Sequence, residues 1–278
     1  MAEQCDLHTH SVFSDGSYTP AQIINEAVEK GLSAVAICDH NTIDGVKDFL
    51  AAAEDKPIEA ISGAEFSVEY NGGEVHLLGL FIPTEKLKEV SDLMQEVNRR
   101  KEESNLALVD SLRHAGYLLD YEEIKKNFPD AKISRVHVAA ALVEKGYLSS
   151  INEAFHTLLS KKAGHYTEPK HLAAFETIVF LRKIGATPVL AHPFLNLSEE
   201  ELEKFLPLAK EAGLVGVECN YSLFDEETTK KAKELTAKYG LLPSGGSDFH
   251  GTNKPSIQLG SGLGNLFVPA AYADALRP

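Results

Sequence analysis

Asp6-Leu7-His8-Thr9-His10, with Asp15-Gly16 close behind, gathers imidazoles and carboxylates in one short stretch. Alternate residues of a β-strand share a face, so Asp6, His8 and His10 are expected to point the same way. Two imidazoles at one strand end make half of a metal site. The same chemistry recurs at Asp39-His40, Glu65, His76, His192-Pro193 and Asp248-Phe249-His250, which with the opening hold six of the eleven histidines. A lone His in an apolar strand is more often a core residue than a ligand, and His-x-His alone is a weak motif. Repetition over several separated segments is a far more specific signal, and it points to a metal centre.

Imidazole and carboxylate without thiolate suit Mn, Fe or Zn, and this many groups can hold two or three ions. A carboxylate such as Glu65 can bridge two of them, and a shared water then becomes hydroxide near neutral pH. The expected ligands are His8, His10, Asp15, His40, Glu65, His76, His192, Asp248 and His250, with Glu65, Asp248 and His192 at the reacting centre.

Positioning these groups falls to alternating elements. Strand-like runs lie near Cys5–His8, Ser33–Cys38, Ile58–Glu65, Glu74–Ile82, Thr187–Ala191, Leu214–Cys219 and Leu241–Gly246. Helical patterns separate them: a capping box at Thr19-Pro20-Ala21-Gln22, then Asp44–Glu54, Glu176–Ile184, Ser198–Ala212 and Glu226–Tyr239. Such alternation predicts an α/β fold of parallel strands, and the strand count favours a barrel over an open sheet. The ligand-type residues then fall at strand C-terminal ends, where barrel loops converge; His76, early in its strand, is the exception. Between 87 and 168 only helical patterns occur (Leu87–Ala115, Tyr121–Asn127, Ser134–Lys145, Ile151–Lys161). The expected organisation is therefore a barrel formed by 1–86 and 169–278, with an all-helical domain inserted at 87–168.

That insertion carries a second signal. Ser134 is a good N-cap, and Arg135 falls in the first turn, where the helix dipole disfavours a cation. An anion bound there reverses the penalty, so Ser134, Arg135 and His137 read either as a phosphate clamp or as a solvated helix start. His114, His156, His165 and His171 read as surface. Asp6 and Asp39 read as partners of ligand imidazoles or as buried structural acids, the first being favoured, and Glu218 as a rim residue that hydrogen-bonds. Ser17 and Ser247 lack a nucleophile-elbow context, and no phosphate-binding glycine motif occurs.

The net charge of −14 excludes broad binding of duplex nucleic acid but not of a small anion, because clustered divalent ions set their own field. No apolar run reaches membrane-spanning length and no charged-then-apolar leader is present, so a cytoplasmic protein is expected. Three cysteines, Cys5, Cys38 and Cys219, each in an apolar run, fit reduced buried thiols.

Through Asp6-x-His8-x-His10-x4-Asp15-Gly16, Asp39-His40, Glu65, His76, His192-Pro193 and Ser247-Asp248-x-His250, nearly the whole chain resembles the PHP (polymerase and histidinol phosphatase) superfamily. It is most similar to free-standing nucleotide phosphatases of that group. The resemblance implies a distorted seven-stranded (β/α)7 barrel holding two or three metals. It implies that His8, His10, Glu65 and Asp248 hold one ion, that Glu65 with His76 and His192 holds a second, and that Asp15, His40 and His250 hold a third. It also implies that Arg135 holds substrate phosphate. The expected function is hydrolysis of phosphate monoesters of small nucleotides by a metal-bound hydroxide. The rivals are 5′-3′ trimming of short RNA or DNA ends, amide hydrolysis, and a non-catalytic metal-stabilised module; oligomeric state is left open.

Overall fold

A computed structural model of the chain describes residues 3–128, 133–169 and 172–278. Chain contacts divide it into two compact units, Met1–Asp92 with His171–Pro278, and Leu93–Lys170.

In chain order the first unit opens with β1 (Cys5–Thr9), α1 (Pro20–Glu29), β2 (Ala34–Ile37), α2 (Val46–Ala53), β3 (Glu59–Ile61), β4 (Gly63–Tyr70) and β5 (Gly73–Leu80). Thr19 caps α1 as expected, its hydroxyl accepting the Gln22 N–H while Gln22 accepts the Thr19 N–H. There follow α3 (Leu87–His114), α4 (Tyr121–Asn127), α5 (Arg135–Glu144) and α6 (Ile151–His156). The chain ends with β6 (Leu172–Ala173), α7 (Ala174–Lys183), β7 (Thr187–Leu190), α8 (Pro193–Asn196), α9 (Glu199–Ala212), β8 (Gly216–Tyr221), α10 (Glu226–Lys238), β9 (Leu242–Gly246) and α11 (Ala271–Leu276).

The α/β class stands, but among the described residues nine strands form two sheets rather than seven forming one closed barrel: β1-β2-β3, and β6-β4-β5-β7-β8-β9. Nor are the strands all parallel. The run expected as a single strand over Ile58–Glu65 breaks at Ser62, whose hydroxyl donates to Ile82 O at 2.6 Å, and β4 continues to Tyr70. There Asn71 and Gly72, at φ 51° and 78°, turn the chain back, and β5 pairs antiparallel with β4 and with β7. Two central residues at positive φ make the tight turn that matches strand twist, a conformation glycine adopts without penalty.

Isolated backbone bridges join the two sheets at two seams. At one, Glu65 N–H donates to Asp39 O (3.2 Å) and Asn41 N–H to Glu65 O (2.8 Å). At the other, Asp248 N–H donates to His8 O (2.9 Å) and His10 N–H to Phe249 O (2.8 Å). Beneath them Leu7, Ile61, Leu78, Leu80, Val189 and Val268 share one apolar cluster, each side chain of this size contributing roughly 1.5–3 kcal/mol by burial. The helical unit has its own cluster, including Leu108, Leu112, Ile124, Val138, Leu142 and Leu159. The three cysteines are buried and unbridged, and burial pushes the Cys5 thiol up to about 12. Among the described residues no helix is long and apolar enough to cross a membrane.

Candidate metal centre

Glu65 sits where the seams converge, fully buried on β4 opposite Leu78, with His76 two residues along the facing strand. Cross-strand geometry puts this diagonal pair on one face, and Glu65 Oε1 lies 2.7 Å from His76 Nδ1. The apparent exception of His76 disappears with the topology: β5 runs antiparallel, so its first half reaches the rim where β7 ends. His192 Nε2 approaches the same oxygen at 3.0 Å. The other oxygen, Oε2, faces His40 Nδ1 (3.0 Å), His8 Nε2 (3.3 Å) and His10 Nε2 (3.3 Å). Each Glu65 oxygen thus has its own set of imidazoles.

Asp248 Oδ1 lies 3.1 Å from His10 Nε2, 3.5 Å from His250 Nδ1 and 3.8 Å from His8 Nε2. Asp15, more exposed, reaches His250 Nε2 at 3.2 Å, His10 Nδ1 at 3.7 Å and His40 Nε2 at 3.8 Å. The structure therefore brings together all nine residues singled out as ligands. Among the described residues, three subsets have donor atoms mutually within 4.8 Å: His8, His10 and Glu65; His40, Glu65 and His76; and His10, Asp15, His40 and His250.

The donor set fits divalent ions. His8 Nε2 and His10 Nε2 face each other at 3.1 Å, an arrangement that a shared cation satisfies better than two neutral rings. Among the described residues, nothing meets buried His10 Nδ1 or His250 Nε2 in hydrogen-bonding geometry; Asp15, at 3.7 and 3.2 Å, makes ion-pair approaches only. Burial, reinforced by His250 and His40, lowers His10 to about 3, keeping it in the neutral form a metal needs. Burial also opposes charge on His76, yet Glu65 and Glu74 raise it to about 9. The carboxylates favour positive charge nearby, and a divalent ion would supply it in place of protons.

Supporting groups explain how this crowding is held. Glu218 Oε1 lies 3.1 Å from His8 Nδ1, and Oε2 accepts the His192 N–H at 2.7 Å. A carboxylate on the far nitrogen sets ring orientation and directs Nε2 inward. Asp6 and Asp39 do not do this, contrary to expectation. Asp6 accepts from Ser247 N–H (2.9 Å) and Oγ (2.5 Å) and from Gly260 N–H (2.8 Å). Asp39 accepts from Ser11 N–H (2.7 Å), Ser11 Oγ (2.7 Å) and Ser14 Oγ (2.6 Å). A register shift between Asp6 and Thr9 breaks strict alternation in β1 and lets Asp6 and His8 serve different neighbours. Both acids are structural: one fixes the backbone before Asp248, the other the loop leading to Asp15.

Tyr221 and Lys254 escaped the sequence reading. The Tyr221 hydroxyl and Lys254 Nζ donate to Asp248 Oδ2 at 2.9 and 3.0 Å. A Tyr in an apolar strand and a Lys in a loop carry no local signal. His192 and Asp248 also take positive φ, 23° and 57°, strain of the kind stored at functional sites.

In the helical unit, Ser134 caps α5 and its N–H donates to His137 Nδ1 at 2.9 Å, so one of the free helix-start amides is already used. The Arg135 guanidinium stacks over Tyr166, 4.2 Å from the ring centre, with Phe155 at 5.5 Å. His114 and His156 are exposed; His165 is instead half-buried, with Nδ1 2.9 Å from Ser111 Oγ. His171 lies outside the described residues.

Residues 6–175, more than half of the chain, match the PHP domain family. The chain belongs to that family. This PHP chain is 29% identical over 255 residues to a 5′-3′ exoribonuclease of Haemophilus influenzae, covering 90% of the chain and 91% of that protein. It is 26% identical to a 3′,5′-nucleoside bisphosphate phosphatase of Chromobacterium violaceum, covering 92% and 90%. Among solved structures it superimposes on one assigned as a metal-dependent phosphoesterase of Bifidobacterium adolescentis, with TM-score 0.78, 26% identity, and 99% and 96% of the two chains covered.

Proposed function

We propose that this chain is a metal-dependent phosphoesterase that hydrolyses phosphate monoesters of small nucleotides, AMP-like or nucleoside 3′,5′-bisphosphates. One observation carries the reading: five imidazoles converge on Glu65, two on one carboxylate oxygen and three on the other. His8, His10, Glu65 and Asp248 would hold one ion, Glu65, His76 and His192 a second, and Asp15, His40 and His250 a third. When bound, Mn, Fe or Zn ions supply Lewis acidity, neutralising phosphoryl oxygens and acidifying water. Glu218 holds His8 with Nε2 inward and pins the His192 backbone, so the donors need little reorganisation. In the helical unit, Arg135 would pair with substrate phosphate, its guanidinium plane kept in place by Tyr166 and helped by Ser134 and His137.

Similarity to the Haemophilus exoribonuclease supports a second reading, removal of 5′ nucleotides from short RNA. It differs in cleaving a diester. Incubating the Mn²⁺-loaded protein with AMP, a 3′,5′-bisphosphate and a short 5′-phosphorylated RNA separates the two. Release of inorganic phosphate from the small substrates is expected. Mononucleotides from the RNA with no phosphate from the others would replace the first reading by the second.

A further inference from the structure

We propose that Lys254 anchors an anionic oxygen of the substrate beside the metal centre; the inference rests on the phosphoesterase reading and adds a binding residue to it. Lys254 Nζ donates to Asp248 Oδ2 at 3.0 Å, while Oδ1 of the same carboxylate faces His10, His250 and His8. The ammonium therefore stands one carboxylate away from the donor cluster. Among the described residues of the first unit, no other Lys or Arg is ion-paired to Asp15, Glu65, Glu218 or Asp248.

Asp248 does not need this cation to be satisfied. Its Oδ2 already accepts from the buried Tyr221 hydroxyl at 2.9 Å, and its Oδ1 meets three imidazoles. The Lys254 side chain is 42% exposed, against 8% for Asp248, and an ion pair so open to water adds little to folding. An ammonium has three donors, and Asp248 accepts the side-chain hydrogen bond that Lys254 makes among the described residues.

The carrying segment is built to stay in place. Thr252 N–H donates to Ser17 Oγ at 2.7 Å, Asn253 Nδ2 to Asp15 O at 2.8 Å, and Ser17 N–H to His250 O at 3.0 Å. These bonds stitch the residues before Lys254 to the loop bearing Asp15, so the ammonium is held where the ligands are. A compact charge on a flexible stem suits a phosphate oxygen that arrives, reacts and leaves. In a chain of net charge −14, a local cation also offsets the repulsion an anionic substrate meets.

The test uses the full-length, Mn²⁺-loaded protein and inorganic phosphate as probe. Binding is followed by calorimetry, metal content is measured on the same samples, and KM and kcat are taken on a 3′,5′-bisphosphate. Lys254→Met is expected to keep its metal while its phosphate Kd rises about tenfold, the loss of one charge-assisted hydrogen bond, with Lys254→Arg recovering most of the affinity. KM should follow the phosphate Kd, with kcat changing much less. An unchanged phosphate Kd would overturn the assignment. So would loss of metal in step with phosphate affinity, which would make Lys254 a support for Asp248 only. If phosphate binding depends on Lys254 but no nucleotide releases phosphate, the assignment stands and the monoesterase reading alone falls.

Discussion

At the scale of single residues, burial sets the chemistry. Glu65, His8 and His10 are fully buried, and unpaired charge there is costly, so a divalent ion would complete them as a set. Glu218 shows how the set is oriented. In Glu218→Gln the amide cannot accept from both the His8 ring and the His192 N–H, and its NH₂ opposes the His8 N–H. Metal affinity is expected to fall by about 10–100-fold, read by titrating the apo-protein with Mn²⁺. Arg135→Ala separates binding from metal chemistry. If Arg135 holds substrate phosphate as proposed, KM should rise by roughly tenfold or more while metal content is unchanged, since Arg135 is not among the proposed metal ligands. An unchanged KM would remove Arg135 from the substrate site.

Between elements, the decisive contacts are the two seams and the hairpin. At one seam β9 lies so close to β1 that a Cβ on Gly246 would run into the backbone and Cβ of His8. Gly246→Ala must push β1 and β9 apart, and His8 moves with them. The expected cost is about 1–3 kcal/mol by urea denaturation, accompanied by weaker metal binding. The hairpin does the complementary job. Turning at Asn71-Gly72 lets β5 present His76 diagonally to Glu65, and β7 then delivers His192 to the same oxygen. Asn-Gly between alternating residues is a strong hairpin signal, and Tyr70-Asn71-Gly72-Gly73 displays it plainly. Reading every strand as part of a parallel alternation hid it.

For the molecule as a whole, each unit has an apolar core that involves none of the nine ligand-type residues. The fold should therefore outlast its metals. Chelation is expected to leave far-UV circular dichroism intact. It should lower Tm by about 5–10 °C, because ions at a hundredfold excess over Kd stabilise the native state by about 2.7 kcal/mol. Unfolding on chelation would instead show that the centre is part of what holds the sheets together.

Much of the site was legible because metal chemistry is written in residue type. Imidazoles and carboxylates recurring at the ends of apolar runs announce a centre, and helix starts such as Thr19-Pro20 are local events that short-range rules capture. The family, too, rests on motifs that stand in the chain itself. Which acid turns a ring and which ties a backbone was beyond the sequence, since Asp6, Asp39 and Glu218 are the same chemistry in similar strand ends. Their roles depend on partners such as Gly260, 254 positions from Asp6, and His8, 210 positions from Glu218. Strand direction, the pairing of sheets at the seams and the approach of Lys254 to Asp248 are likewise long-range. They are settled by which surfaces bury each other, and no local spacing encodes that.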